Sequence, residues 1–257
     1  MNIFVLIKRT FDSEEKITIH AGDIVQDGAE FIINPYDEFA IEEAIRMKEA
    51  HGGEITVMTV GSKEASRELR TALAMGCDKA VLFNIEEDVM DPDPFTTATI
   101  LYHYITEKPF ELILAGNATI DSGSGQVGPR LAELLNIPCV TTITKLAIDG
   151  KEVEMERDAE GNIEIVKSQL PLLLTTQQGL NEPRYPSLPG IIKAKKKPME
   201  ELTLNDLNLT AEEVAAKTKT TCRLLPPKKA AVRMIEGDAG EQAKQLAALL
   251  RSDAKVI

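Results

Sequence analysis

The sequence has no tryptophan, only 4% aromatic residues, three histidines and three cysteines in 257 residues. Each shortage removes a class of function. Few aromatics leave few platforms for stacking bases, which disfavours single-stranded nucleic-acid binding. Cys77, Cys139 and Cys222 are far apart, odd in number and form no C-x-x-C pair. That weighs against a disulfide scaffold and against a zinc or iron–sulfur site, so no metal is expected; the plain reading is buried thiols in a reducing compartment. His20, His51 and His103 are scattered without a carboxylate at useful spacing and read as surface or half-buried residues. Ser122 and Ser124 lack a G-x-S-x-G frame, and no nucleophile is paired with a base. No run approaches the ~18 apolar residues of a membrane span. The apolar opening is short and is followed, not preceded, by Lys8 and Arg9. It reads as a first core strand, not a signal peptide, and a cytoplasmic location is expected. Positive charge is also in deficit. Lys plus Arg number 29 against 41 Asp plus Glu, a net charge of −12, so general affinity for nucleic acid or anionic lipid is not expected.

What is present is a globular composition, 43% apolar and 27% charged, in a chain long enough for one large domain or a domain plus a satellite. Residues 3–7 form a continuous apolar run, as in a strand buried on both faces. Ile17, Ile19 and Ile24 alternate with polar residues before Phe31, Ile32 and Ile33, a hairpin leading into a turn. Asn34 and Pro35 open a helix, with Asn34 as its cap, Asp37 and Glu38 in its first turn, and Ile41, Ala44 and Ile45 on its apolar face. Strands are predicted at 55–60, 80–83, 112–115 and from 140. Helices are predicted at 63–75 and 94–105, and over a segment carrying Val127, Leu131, Leu134 and Leu135. This alternation with short connections predicts an α/β fold, a parallel sheet with helices on both faces. After residue 146, turns separate alternating strands at 153–156 and 163–166, a small antiparallel annex, and 170–176 returns to a core strand. A lysine-rich break at 193–198 precedes a polar tail with a last helix carrying Ala243, Leu246, Ala247 and Leu250. The expected division is a nucleotide-binding domain over 1–198 and a C-terminal arm over 199–257.

Two stretches carry chemistry. The first is Gly116, Asn117, Ala118, Thr119, Ile120, Asp121, Ser122, Gly123, Ser124, Gly125, Gln126, Val127 and Gly128, between a strand and a helix. Glycines let backbone approach a ligand, and free N–H groups at a helix start bind phosphate. The bland alternative is an ordinary strand-to-helix turn. Gly123, Gly125 and Gly128 also spell G-x-G-x-x-G, which opens a reading as an NAD-linked dehydrogenase. Its context is wrong: the motif lies late in the alternation, and the next strand ends in Lys145, not an acid. The acid pairs Glu42-Glu43 and Glu86-Glu87 read as solvated faces. The second stretch, 179–198, is stiffened by prolines, could form a short helix after Ser187, and sets Leu188 beside Arg184 and Tyr185 as an apolar docking anchor or as a loop packed on its own domain.

With these stretches quoted, the sequence resembles the β subunit of electron transfer flavoprotein over nearly the whole chain, most loosely after about Pro198. The resemblance rests on Lys8-Arg9, on Asn34-Pro35 followed by Ala40-Ile41-Glu42-Glu43-Ala44, and on Arg70-Thr71-Ala72-Leu73-Ala74-Met75-Gly76. It rests further on the loop from Ile120-Asp121 to Gln126 and on L-N-x-P-R-Y-x-x-L-P-x-I-x-K-A-K-K-K at 180–197. It implies a Rossmann-like fold similar to the adenine nucleotide α-hydrolases, without hydrolysis. It implies one half of an αβ heterodimer whose FAD is held mainly by the α subunit, with AMP buried in the β subunit. Such a dimer carries electrons from acyl-CoA dehydrogenases of fatty acid β-oxidation and related flavoproteins to a membrane quinone oxidoreductase. The chain itself then needs no catalytic side chains, because flavin supplies the chemistry. Carried over by motif, the AMP contacts fall on Leu6, Asn34, Pro35, Tyr36, Asp37 and Val60, and on each residue from Gly116 to Val127. The docking contacts fall on Arg184, Tyr185, Leu188, Pro189 and Ile191, with the lysines behind them steering acidic partners and the C-terminal arm contacting the α subunit. The loop departs from the D-D-x-x-N-Q-T of many relatives, and its Q-V-G-P ending also occurs in bifurcating relatives that hold a second FAD in place of AMP. That form stays as an alternative, as does a nucleotide-sensing protein without a redox role.

Overall fold

A computed structural model describes all residues of the chain except Glu86, Glu87, Met90, Ala230 and Ala231. The reading of Glu86-Glu87 therefore lies outside the described residues. In chain order the elements are β1 (Asn2–Leu6), β2 (Arg9–Phe11), β3 (Ile19–His20), β4 (Asp23–Ile24), β5 (Phe31–Ile33), α1 (Pro35–His51), β6 (Glu54–Gly61), α2 (Ser66–Met75), β7 (Lys79–Asn84), α3 (Pro94–Ile105), β8 (Leu112–Gly116), α4 (Val127–Leu135), β9 (Cys139–Asp149), β10 (Glu152–Ala159), β11 (Asn162–Gln169), β12 (Leu172–Thr176), α5 (Leu188–Ala194), β13 (Met199–Leu202) and α6 (Ala239–Ser252).

The chain divides into two compact units. One comprises Met1–Ile17 with Val25–Thr221, the other Thr18–Ile24 with Cys222–Ile257. The first is built on a nine-stranded sheet in the order β11-β10-β9-β12-β8-β1-β6-β7-β13. From β9 to β13 along that order every pair is parallel, while β10 and β11 extend it antiparallel. This is the α/β architecture with a small antiparallel annex that the sequence predicts.

Burial on both faces explains the continuous apolar strands. Ile3, Val5 and Ile7 point into one core, with Ile41 and Ala44 of α1 and Leu69 and Leu73 of α2. Phe4 and Leu6 point into the other, with Ile100 and Leu101 of α3 and Leu131 of α4. Leu204, Leu209 and Val214, beyond the lysine run, are buried in this second core, so the chain after β13 is packed in the sheet unit up to Thr221. β9 is longer than predicted, because one strand runs from its parallel pairing with β12 into the annex beside β10.

In the second unit β3 and β4 form a two-residue-per-strand hairpin. α6 opens on a reciprocal capping box between Asp238 and Glu241 and has no buried residue. Among the described residues no helix is long and apolar enough to cross a membrane.

Candidate functional site

β1 lies between β8 and β6: the chain passes from β1 to β6 and β7 on one side, then crosses back through α3 to β8 on the other. Such a switch in strand order leaves a crevice at the carboxyl ends of the strands, where open α/β sheets bind ligands. A cleft of about 230 Å³ lies there, walled by Leu6, Ile7, Met58, Val60, Leu101 and Ala115 on its apolar side and by the 116–128 loop on its polar side. A larger hollow of about 490 Å³ lies at the amino ends of the strands, lined by Asn2, Glu54, Lys79 and Tyr104. The carboxyl end of α3 faces that hollow, the wrong polarity for an anion, so size does not decide between the two.

Three helix N-termini approach the cleft and differ in what their N–H groups face. α3 is capped: Asp93 Oδ1 accepts from Phe95 N and Thr96 N, both at 3.0 Å. α1 begins with Pro35, which has no N–H to offer. α4 has no side-chain cap, because the Gln126 Oε1 that could supply one accepts instead from Arg130 Nε and Nη2 at 3.1 and 2.9 Å. Its first N–H groups are therefore the ones available to an anion. Gly128 belongs to the packing beneath: a Cβ there would lie 2.9 Å from Thr175 Cγ2.

The loop is held by buried polar contacts from behind as well as by its own turn, in which Gly123 N donates to Thr119 O at 2.8 Å. Asp37, buried at the start of α1, receives Lys8 N at 2.7 Å on one oxygen and Gly116 N at 3.0 Å on the other. Burial nonetheless pushes its carboxyl up to about 7. Gly116 is required by proximity, since a Cβ would lie 2.2 Å from Asp37 Oδ1. Asn34 stands at the N-cap position but makes no cap hydrogen bond, contrary to the sequence reading. Its amide instead clasps the loop, with Nδ2 donating to Ala118 O at 3.0 Å and Oδ1 accepting Ile120 N at 3.1 Å. Asn117 Oδ1 accepts from Thr175 Oγ1 at 3.2 Å, and Thr176 Oγ1 donates to Tyr36 O at 2.8 Å. Gly123 and Gly125 take left-handed backbone, φ 62° and 59°. Asp121 accepts from Lys8 Nζ at 2.7 Å; burial works against its charge, but Lys8, Thr119 and Ser122 outweigh that and hold it below the usual carboxylate range.

Of the residues expected to contact a nucleotide, Leu6, Asp37, Val60, Gly116, Asn117, Ala118, Thr119, Ser122, Ser124, Gly125, Gln126 and Val127 line the cleft. Asn34, Pro35, Tyr36, Ile120, Asp121 and Gly123 do not line it; Asn34, Tyr36 and Asp121 act behind it as supports. Sequence reasoning missed Lys8, Thr59, Asp93 and Thr97 as lining residues. Asp93 followed by proline at a helix start was the available signal for one of them. The G-x-G-x-x-G match does not sit at the strand-to-helix junction, because Gly123 lies seven residues past the end of β8, Gly116. Gly123 does close a turn, its N–H donating to Thr119 O at 2.8 Å, but that turn lies within the loop and not directly between strand and helix, where a dinucleotide fingerprint needs it.

The 179–198 stretch forms an exposed apolar bump. Tyr185 is 93% and Leu188 79% exposed, and Pro189 and Ile191 are exposed beside them. Arg184 is different: it is engaged by Glu42 and Glu49 of α1. Glu42 and Glu43 are 3% and 4% exposed, which corrects their reading as a solvated face. Lys197 departs from the reading of the lysines as free steering charges, since its Nζ donates to Leu73 O at 2.9 Å and Cys77 O at the end of α2. Among the described residues no His, Cys, Asp and Glu cluster could hold a metal.

Comparison with known proteins gives the family. The Electron transfer flavoprotein domain matches residues 22–207. The chain is 65% identical to the electron transfer flavoprotein subunit beta of Bacillus subtilis, over the full length of both. It is 39% identical to the subunit of the same name from Syntrophomonas wolfei, over 100% of this chain and 98% of that one. It is 35% identical to the caffeyl-CoA reductase-Etf complex subunit CarD of Acetobacterium woodii, over 92% of each. By its fold, its domain match and these full-length likenesses, the chain belongs to the electron transfer flavoprotein β-subunit family.

Proposed function

We infer that this subunit binds AMP in the cleft at the ends of β1, β6 and β8, and that it works as half of an αβ electron carrier. The observation that carries the reading is the uncapped start of α4, held open at the end of a glycine loop. A phosphate there meets unpaired N–H groups and the positive end of a helix dipole. The apolar wall of Leu6, Met58, Val60 and Ala115 suits the flat face of a purine. Asp93, whose carboxylate already fills the start of α3, repels a second phosphate at that end.

The electron-carrying FAD is then held mainly by an α-subunit partner, and it supplies the redox chemistry when bound. This chain covers one side of it and contributes the arm at 222–257 to the partner contact. Electrons come from acyl-CoA dehydrogenases and related flavoproteins, which dock on Tyr185, Leu188, Pro189 and Ile191 beside Arg184. They leave to a membrane quinone oxidoreductase, and the whole exchange takes place in the cytoplasm. A visible spectrum tests the carrier reading. The chain co-produced with its α partner should show a flavin spectrum that an acyl-CoA dehydrogenase and its substrate bleach, and the chain alone should show none. NAD-linked turnover by the chain alone would reject it.

A further inference from the structure

Ser187 caps α5 locally, Oγ accepting from Gly190 N at 3.1 Å, but the exposed side chains of Tyr185 and Leu188 do not anchor the bump to the domain. Its placement on the domain comes from both ends of the segment. On the upstream side, Arg184 is gripped by two carboxylates of α1. Nε and Nη2 donate to Glu42 at 2.8 and 3.1 Å, and Nη1 and Nη2 donate to Glu49 at 2.7 and 3.2 Å. The Arg184 backbone N–H also donates to Glu42 Oε2 at 3.2 Å. Three residues earlier, Asn181 Nδ2 donates to Glu43 Oε2 at 2.9 Å and to Phe39 O at 3.0 Å.

On the downstream side, α5 and α2 cap one another. Arg70 Nη1 donates to Ala194 O and Lys197 O at 2.8 and 3.2 Å, and Lys197 Nζ returns to the last carbonyls of α2. Gly190 lets the two helices meet, since a Cβ there would lie 2.4 Å from Ala74 O. A buried carboxylate such as Glu42 is retained only if it is fully paired. Its pairing here fixes the segment on which the exposed anchors stand.

We propose that Glu42 and Glu49 are positioning residues for donor docking: by clamping Arg184 they present Tyr185, Leu188 and Ile191 as a preformed apolar bump to a pocket on the electron-donating protein. Arg184 is thereby a structural fork and not a charge offered to the partner. Binding then needs little ordering of the segment, and affinity gains accordingly. The proposal rests on the docking role inferred above for this segment.

The test compares three variants of the full αβ protein: Glu49→Gln, the double variant Glu42→Gln/Glu49→Gln, and Leu188→Ala. Steady-state reduction by an acyl-CoA dehydrogenase gives KM for the carrier and kcat, and hydrogen exchange reports on residues 185–192. Both glutamate variants should raise KM, the double one about tenfold, the size expected when one or two side chains must be ordered on binding. The same variants should leave kcat and flavin content unchanged and speed exchange at 185–192. Leu188→Ala should raise KM without altering exchange. If Leu188→Ala raises KM and neither glutamate variant does, the positioning role is overturned while the docking reading stands. If Leu188→Ala leaves KM unchanged, the docking reading fails and the positioning role fails with it. Should the double variant not fold, Glu49→Gln decides alone, since Glu49 is half-exposed and tolerates the change.

Discussion

Asp93 offers a sharp quantitative test, because its two oxygens do different work. Oδ1 caps α3, while Oδ2 accepts from Lys217 N, Thr218 N and Thr218 Oγ1, each at 2.9 Å. Burial alone would push this carboxyl up, but the hydrogen bonds from Thr96, Thr218 and Lys217 outweigh it and hold the group at about 2, against an ordinary 3.8. Asp93→Asn separates the two roles. Asparagine still caps a helix, whereas its amide nitrogen would face the N–H groups of Lys217 and Thr218, donor against donor. The drop from 3.8 to about 2 corresponds to roughly 2 kcal/mol, and loss of hydrogen bonds to a charged acceptor gives a similar ~2–3 kcal/mol. For a unit of this size that lowers Tm by ~5–10 °C. Since the folded value lies below the unfolded one, the contribution is fully present above pH 3.8 and is lost as pH falls towards about 2. Thermal melting and hydrogen exchange at residues 214–221 are the assays. An unchanged Tm together with unchanged exchange would show that Asp93 Oδ2 does not hold residues 217–218.

Three further outcomes are expected. Leu188→Ala should weaken the apparent affinity for the donor by roughly thirtyfold, the ~2 kcal/mol of a truncated anchor, while Tm stays fixed because the residue is exposed; a fall in Tm matching the loss of activity would contradict it. Gly116→Ala should abolish nucleotide retention, because its Cβ would strike Asp37 Oδ1, and nucleotide content after gel filtration checks this. Asp37, raised to about 7, binds its proton more tightly folded than unfolded. Its contribution is present below pH 3.8 and lost as pH rises through about 7. Melting between pH 5 and 8 should show that slope, and Asp37→Asn should flatten it.

Much of the sheet was legible because its signals are local. The apolar run from Ile3 to Ile7, the proline at the start of α1 and of α3, and the spacing of Val127, Leu131 and Leu135 each fix an element without distant partners. The glycine loop was legible for the same reason. What stayed hidden depends on residues far apart in the chain. Asn34 has the sequence of a cap, but its partners are Ala118 and Ile120, more than 80 positions away. Glu42 and Glu43 look like solvated charge until Asn181 and Arg184 return to cover them. Asp93 becomes more than a cap only when Lys217 and Thr218 arrive. β13 is a four-residue edge strand whose two acids mask it as part of a polar tail.

We propose that the cleft below the 116–128 loop holds AMP while one FAD serves electron transfer. Denaturing the purified αβ protein and identifying the released nucleotides by mass spectrometry tests it directly. AMP and FAD should be released in about equal amounts, with AMP lost in Gly116→Ala, because a ligand that binds only the folded cleft follows the cleft's geometry. Two FAD per dimer and no AMP would contradict it and assign the cleft to a second flavin.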